Sequence, residues 1–110
     1  MKRGEIWQVD LGGKAGTRPA LILTRSAVIP FLNKVTVAEI TSHSKGYPTE
    51  VDIDQKTNLP QPSFVQVDNI QTVPQQRLLK YMGTLSEDDM RLVSEKVILA
   101  LSLEDAVSAT

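Results

Sequence analysis

Gly4-Glu5-Ile6-Trp7-Gln8-Val9-Asp10-Leu11, then Gly12-Gly13-Lys14-Ala15-Gly16, then Thr17-Arg18-Pro19-Ala20-Leu21-Ile22-Leu23, is the stretch that decides the fold. The first segment sets Trp7, Val9 and Leu11 on one side and Ile6 and Gln8 on the other, the period-two pattern of a half-buried strand. The second breaks that pattern with glycines, which tolerate positive φ. The apolar run of residues 20–23 is too short for a helix and suits a strand buried on both faces. Two strands joined by a flexible loop follow, with Trp7 expected as the largest single piece of the core.

Outward from that hairpin, Ser26 suits the cap of a brief helical turn ahead of Pro30, and residues 35–40 resume alternation with β-branched side chains. Residues 41–46 form a polar loop. Residues 49–54 alternate Val51 and Ile53 with Glu50, Asp52 and Asp54, whereas residues 55–62 cannot prolong a strand because Pro60 and Pro62 lack the amide a ladder requires. Residues 63–73 read as a long strand. Pro74 opens a short helix carrying Gln75, Gln76 and Arg77, and residues 79–85 give another strand, interrupted at Gly83.

Ser86 is an N-cap followed by Glu87, Asp88 and Asp89, whose charges favour the amide-rich end of a helix. Met90, Val93, Val97, Ile98 and Leu101 recur at spacings of three and four, so one stripe is expected to pack on the sheet. Residues 104–110 read as a frayed tail. Six short strands and a terminal helix predict a mainly β chain with some α: a small, strongly curved, SH3-like β-barrel with a C-terminal helix, in a single domain over residues 1–110.

The 110 residues are 41% apolar but only 5% aromatic, which calls for a modest, aliphatic core. The absence of cysteine excludes a disulfide framework and a thiolate metal site, and it suits a reducing cytoplasm. No apolar run behind Lys2 and Arg3 looks like an export signal, and none approaches the roughly 20 residues needed to span a bilayer. A soluble cytoplasmic protein with no membrane contact is the expectation. The net charge of −1 argues against non-specific coating of nucleic acid, which draws on many cationic contacts to phosphate. The charge is uneven, +3 over residues 1–50 and −4 over the remainder, so a mildly basic half could face a polyanion.

The familiar catalytic constellations are missing. The only histidine is His43, with Glu39 and Glu50 as the nearby acids, which is too few ligands for zinc; no metal and no cofactor are expected. There is no Gly-x-Ser-x-Gly elbow and no Walker loop. The Asp88-Asp89 pair serves the helix dipole more simply than an acid/base dyad.

Arg18 and Thr41 remain, each at a strand boundary beside an open loop. A guanidinium is always charged and its planar fork matches two phosphate oxygens, so it can stabilise the extra charge of a pentacoordinate transition state. The Thr41 hydroxyl can donate to the same phosphate. Without a metal the easiest phosphodiester to cut is that of RNA, whose 2′-hydroxyl lies beside the phosphorus. The same pattern also admits a solvated Arg18 and a Thr41 that merely favours strand, leaving a small β domain. Trp7 suits core better than an RNA-stacking platform. His43 suits an exposed loop, with an acid/base or stacking role open to it, and Lys14 and Lys45 are loop lysines open to phosphate.

At these residues the chain resembles the MazF/PemK toxins, the ribonuclease halves of bacterial toxin–antitoxin pairs. Residues 2–11 resemble the family's opening strand, Arg18-Pro19-Ala20-Leu21 its Arg-Pro-Val-Leu, and Ile40-Thr41-Ser42 its threonine-bearing strand end. Residues 67–72 are similar to its Asp-Gln-Ile-Arg-Thr, and residues 77–86 to its closing strand and helix start. The resemblance implies a PemK-like barrel that forms a homodimer and cuts single-stranded RNA at short sequences without metal. The products would be a 2′,3′-cyclic phosphate and a 5′-hydroxyl, and a cognate MazE-like antitoxin peptide would inhibit the cut. Arg18 would then be the phosphate clamp and a proton-transfer partner, with Thr41 completing the catalytic site. Ser63, Asp68 and Asn69 would contact bases, and Lys14, Thr17, Ser42, His43 and Lys45 would line the RNA path.

Three departures stand out. The loop of residues 12–17 is short and lacks the family's acidic and glutamine residues, Glu39 replaces a common proline, and Gln71 stands where arginine is frequent. Two alternatives stay open: a toxin of the same fold that traps DNA gyrase, and a degenerate member that binds without cutting. The gyrase poisons carry their decisive residues at the end of the terminal helix, and residues 103–107 do not match them.

Overall fold

The computed structural model describes residues 1–53, 59 and 62–108. Among these residues six strands form: β1 (Glu5–Asp10), β2 (Thr17–Ile22), β3 (Lys34–Thr41), β4 (Glu50–Asp52), β5 (Phe64–Pro74) and β6 (Leu78–Thr84). Two helices follow, α1 (Glu87–Ala100) and α2 (Glu104–Ser108), and 3₁₀ turns occupy Ser26–Phe31 and Gln75–Arg77. The six strands and α1 match the expected elements. The expected tail differs, because residues 104–108 take a helical turn with Glu104 and Asp105 at its amide-rich start. Asp54, placed at the end of the fourth strand, and most of the proline-containing segment behind it lie outside the described residues.

The strands make one antiparallel sheet in the order β4-β5-β3-β2-β1-β6. Three strands separate β5 from β6, which in a flat sheet places them about 19 Å apart at the usual strand spacing. Residues 75–77 alone connect them, and four Cα steps reach at most about 14 Å. The sheet therefore has to curl. It does not close: among the described residues β4 and β6 are not paired, so the hydrogen-bonded barrel expected from the sequence is an open, curved sheet. Alternation fixes which face a residue takes but leaves the closing pair unspecified.

Both faces are apolar, and each is covered. On one, Ile6, Leu21, Ala38, Ile40, Val51, Val65 and Val67 pack with Leu85 and with Val93 of α1. On the other, Val9, Ala20, Ile22, Val35, Val37, Val73 and Leu78 close around Ile29 of the 3₁₀ turn. Trp7 is not the largest core piece. Register shifts in the β1–β6 ladder at Ile6/Trp7 and Gln8/Val9 leave it half-buried at the margin, edge-on to Tyr81 at 6.0 Å between ring centres. Its indole N–H donates to Glu5 at 2.9 Å, and the largest fully buried side chains are instead Ile6, Leu21, Ile22 and Ile53.

The Ser86 hydroxyl accepts from the Asp89 amide at 3.1 Å, capping α1 as its sequence requires. The helix packs through Met90, Val93, Val97 and Ala100. Gly4 has φ +93°, and a Cβ there would lie 3.3 Å from the Met90 Cγ, so a glycine lets β1 and α1 approach. Leu101, assigned to the packed stripe, is 56% exposed because the helix has ended and turned by that point. Among the described residues no helix is long and apolar enough to cross a membrane.

Candidate active site

Odd-numbered residues of β2 turn their backbone groups to β3 and even-numbered ones to β1: the Leu23 amide donates to the Thr36 carbonyl, and the Ile22 carbonyl accepts from Gly4, both at 2.9 Å. The β2–β3 register runs Ile22↔Val37, Leu21↔Ala38, Ala20↔Glu39 and stops. The next position facing β3 is Pro19, which has no amide to donate. Carried two steps further, the register would set Pro19 opposite Ile40 and Arg18 opposite Thr41. The ladder ends instead, while β1 stays with Thr17 and Arg18 and β5 stays with Ile40 and Thr41. The strand ends splay, and a concavity of about 550 Å³ opens there.

That concavity is lined by Thr17, Arg18, Thr41, Ser42, His43 and Ser63, together with Ala15, Pro19, Ile40 and Leu59. The first six are among the residues singled out from sequence; the other four supply backbone and apolar wall. Its described lining holds one permanent cation and several hydroxyl groups, with no acid. Arg18 is 45% exposed and its Nε–H donates to the Ala15 carbonyl at 2.9 Å, which leaves its terminal nitrogens without a partner among the described residues. The Thr41 hydroxyl oxygen accepts from the His43 amide at 3.2 Å.

Glu39 stands beside the concavity. Its carboxylate comes to 3.4 Å from Arg18 Nε, with the side chain 18% exposed. Alternation accounts for the contact: Arg18 and Ala20 share one face of β2, Glu39 and Thr41 share the matching face of β3, and Arg18 and Glu39 are diagonal neighbours. The charge of Glu39 near the site is visible in the sequence. The diagonal was readable from the strand period.

Lys45, Asp68 and Asn69 are not brought to this concavity. They line a separate, small one of about 60 Å³ with Tyr47, Thr49, Glu50 and Gln66. There Thr49 donates to Asp68 at 2.6 Å and Asn69 donates to Gln66 at 2.9 Å. Glu50 accepts from the Ser44 hydroxyl at 2.6 Å and the Lys45 amide at 2.9 Å, and these bonds hold its carboxyl below the usual carboxylate range. The β3–β5 register explains the separation, since Ala38 faces Ile70 and Glu39 faces Gln66, so residues 67–69 stand as a bulge opposite a single step. Lys14 lies exposed in the hairpin loop and lines neither concavity.

A larger concavity, about 880 Å³, lies elsewhere, between residues 23–25, the start of β3 and α1, and contains none of the candidate residues. Among the described residues no group of three or more His, Asp or Glu side chains is placed to hold a metal ion. The geometry offers a polyanion one guanidinium facing one hydroxyl across a cleft.

Residues 2–101 match the family model described as PemK-like, MazF-like toxin of type II toxin-antitoxin system. Endoribonuclease MazF3 of Mycobacterium tuberculosis is 42% identical over 91 residues, which cover 83% of this chain and 88% of that protein. The structure of Mycobacterium tuberculosis toxin MazF-mt6 superposes with a TM-score of 0.83 at 39% identity, covering 89% of this chain and 96% of the other. A mycobacterial endoribonuclease in complex with its cognate antitoxin gives a TM-score of 0.85 at 27% identity, covering 94% and 96%. Fold and sequence agree over nearly the whole length, and the chain belongs to the PemK-like, MazF-like family of type II toxin–antitoxin toxins.

Proposed function

We propose that this toxin is an endoribonuclease that cuts single-stranded RNA in the cleft between β2 and β3, without a metal. The observation that carries the reading is the placement of Arg18 and Thr41 on facing strand ends of one open concavity. The ribose 2′-oxygen attacks the adjacent phosphorus, the bond to the 5′-oxygen breaks, and a 2′,3′-cyclic phosphate and a 5′-hydroxyl result. The terminal nitrogens of Arg18 bind the non-bridging oxygens and answer the charge that grows on them. Thr41, whose oxygen already accepts from His43, has its hydrogen to donate. The His43 imidazole is the lining group whose ring nitrogens can relay the proton lost by the 2′-hydroxyl to the departing 5′-oxygen. Thr17 and Ser42 contact the nucleotides beside the cut, Ser63, Asp68 and Asn69 meet bases, and Lys14 and Lys45 meet phosphate from their loops.

The likeness to an endoribonuclease solved with its antitoxin supports a cognate antitoxin peptide as partner. In this reading the toxin acts in the cytoplasm as a homodimer of small PemK-like curved sheets, one domain spanning residues 1–110. The test is a pair of RNA oligonucleotides identical except for one deoxyribose at the mapped cut, each incubated with and without chelator. The all-ribose strand is cut in both conditions and the substituted strand in neither. Cleavage of the substituted strand, or loss of cleavage with chelator, overturns the mechanism.

A further inference from the structure

We propose that Glu39 is a positioning residue that aims the Arg18 guanidinium while raising the concentration of RNA needed to fill the site. The inference rests on the reading of Arg18 as the phosphate clamp.

A flexible, 45% exposed arginine has several rotamers, and a clamp is useful only in the one that presents its terminal nitrogens to the phosphate. Two groups restrict it here, both at Nε. The Ala15 carbonyl takes the Nε–H, and the Glu39 carboxylate flanks the same nitrogen at 3.4 Å. Holding the guanidinium at its inner edge leaves the outer fork for a phosphate. Glu39 is well placed to do this because its own side chain is mostly buried on β3, in register with Ala20 and Gln66. Charge works the other way for affinity. A carboxylate beside a cleft whose described lining has one permanent cation repels the incoming phosphate and cancels part of the attraction of Arg18. One group thus contributes to orientation in the transition state and opposes binding in the ground state, so removing it moves turnover and affinity in opposite senses.

The experiment measures steady-state cleavage of a short RNA bearing a mapped cut site, and affinity for the matching strand with deoxyribose at that site, on the full chain. Glu39→Gln keeps the shape and removes the charge. It is expected to tighten binding of the deoxyribose strand about threefold and to lower kcat about tenfold, short of the roughly hundredfold that a full 1 Å misplacement can cost. Glu39→Asp keeps the charge on a shorter stem and is expected to leave affinity at the parental value while still lowering kcat, so it carries the test if the glutamine variant does not fold. An unchanged kcat in either variant, or weaker binding in Glu39→Gln, overturns the proposal. Arg18→Ala run in parallel separates the two readings. If it still cuts at the parental rate the clamp itself is misassigned, whereas its inactivity beside a fully active Glu39→Gln overturns the role of Glu39 alone.

Discussion

The backbone N–H of His43 donates to the hydroxyl oxygen of Thr41 at 3.2 Å, tying the end of β3 to the loop that follows and occupying the oxygen as an acceptor. Thr41→Val preserves the branched shape and removes the hydroxyl hydrogen. The expected result is a kcat lowered roughly a hundredfold, in the range found when one donor to a developing oxyanion is lost, with the melting temperature close to the parental one. Rate and melting curve measured on the same preparation decide it.

Pro19 ends the β2–β3 ladder by lacking an amide on the side that faces β3. Pro19→Ala supplies that amide and lets the ladder advance toward Ile40, narrowing the cleft between Arg18 and Thr41. Cleavage is expected to fall about tenfold through misplacement of those two groups. The new amide at position 19 is expected to be protected from hydrogen exchange. A fast-exchanging amide at that position would show that the proline is not what holds the strands apart.

Glu50 accepts from the Ser44 hydroxyl and the Lys45 amide, and its carboxyl is held below the ordinary value of 4.5. A lowered folded-state value means the fold favours the carboxylate, so the stabilisation is complete above about pH 4.5 and is lost as pH falls through the lower folded value. The loop of residues 44–46 is accordingly expected to loosen only under acid conditions. The Lys45 amide resonance, followed by NMR from pH 7 to pH 2.5, reports it, and Glu50→Gln is expected to abolish that transition.

The cap of α1 has a local energetic role. Ser86→Ala removes the acceptor for the Asp89 amide and is expected to cost about 1 kcal/mol in denaturant unfolding. Cleavage by the folded variant is expected to be unchanged, because neither Ser86 nor Asp89 lines the β2–β3 cleft.

Local pattern carried much of this structure. Period-two alternation located the strands around Ile6 and Val37, and Ser86 with its three following acids located α1. Trp7 escaped because two register shifts against β6 undo the simple alternation, and such shifts depend on a partner about 70 residues away. The open sheet escaped for a related reason: residue type says which face is apolar and not which edges meet. At the site, Arg18 and Thr41 were legible as strand ends, and the splay between them follows from Pro19. Asp68 and Asn69 were legible as polar residues of β5. Their removal to a second concavity depends on the bulge of residues 67–69, which only the pairing of β3 with β5 defines.

The seam between β1 and β6 joins Ile6 to Gly83 and Glu5 to Thr84. A nascent chain cannot zip that seam until residue 84 has cleared the ribosome, so β1 waits through most of synthesis with one edge bare. A ribosome making this toxin therefore holds an unfinished sheet until the sixth strand emerges.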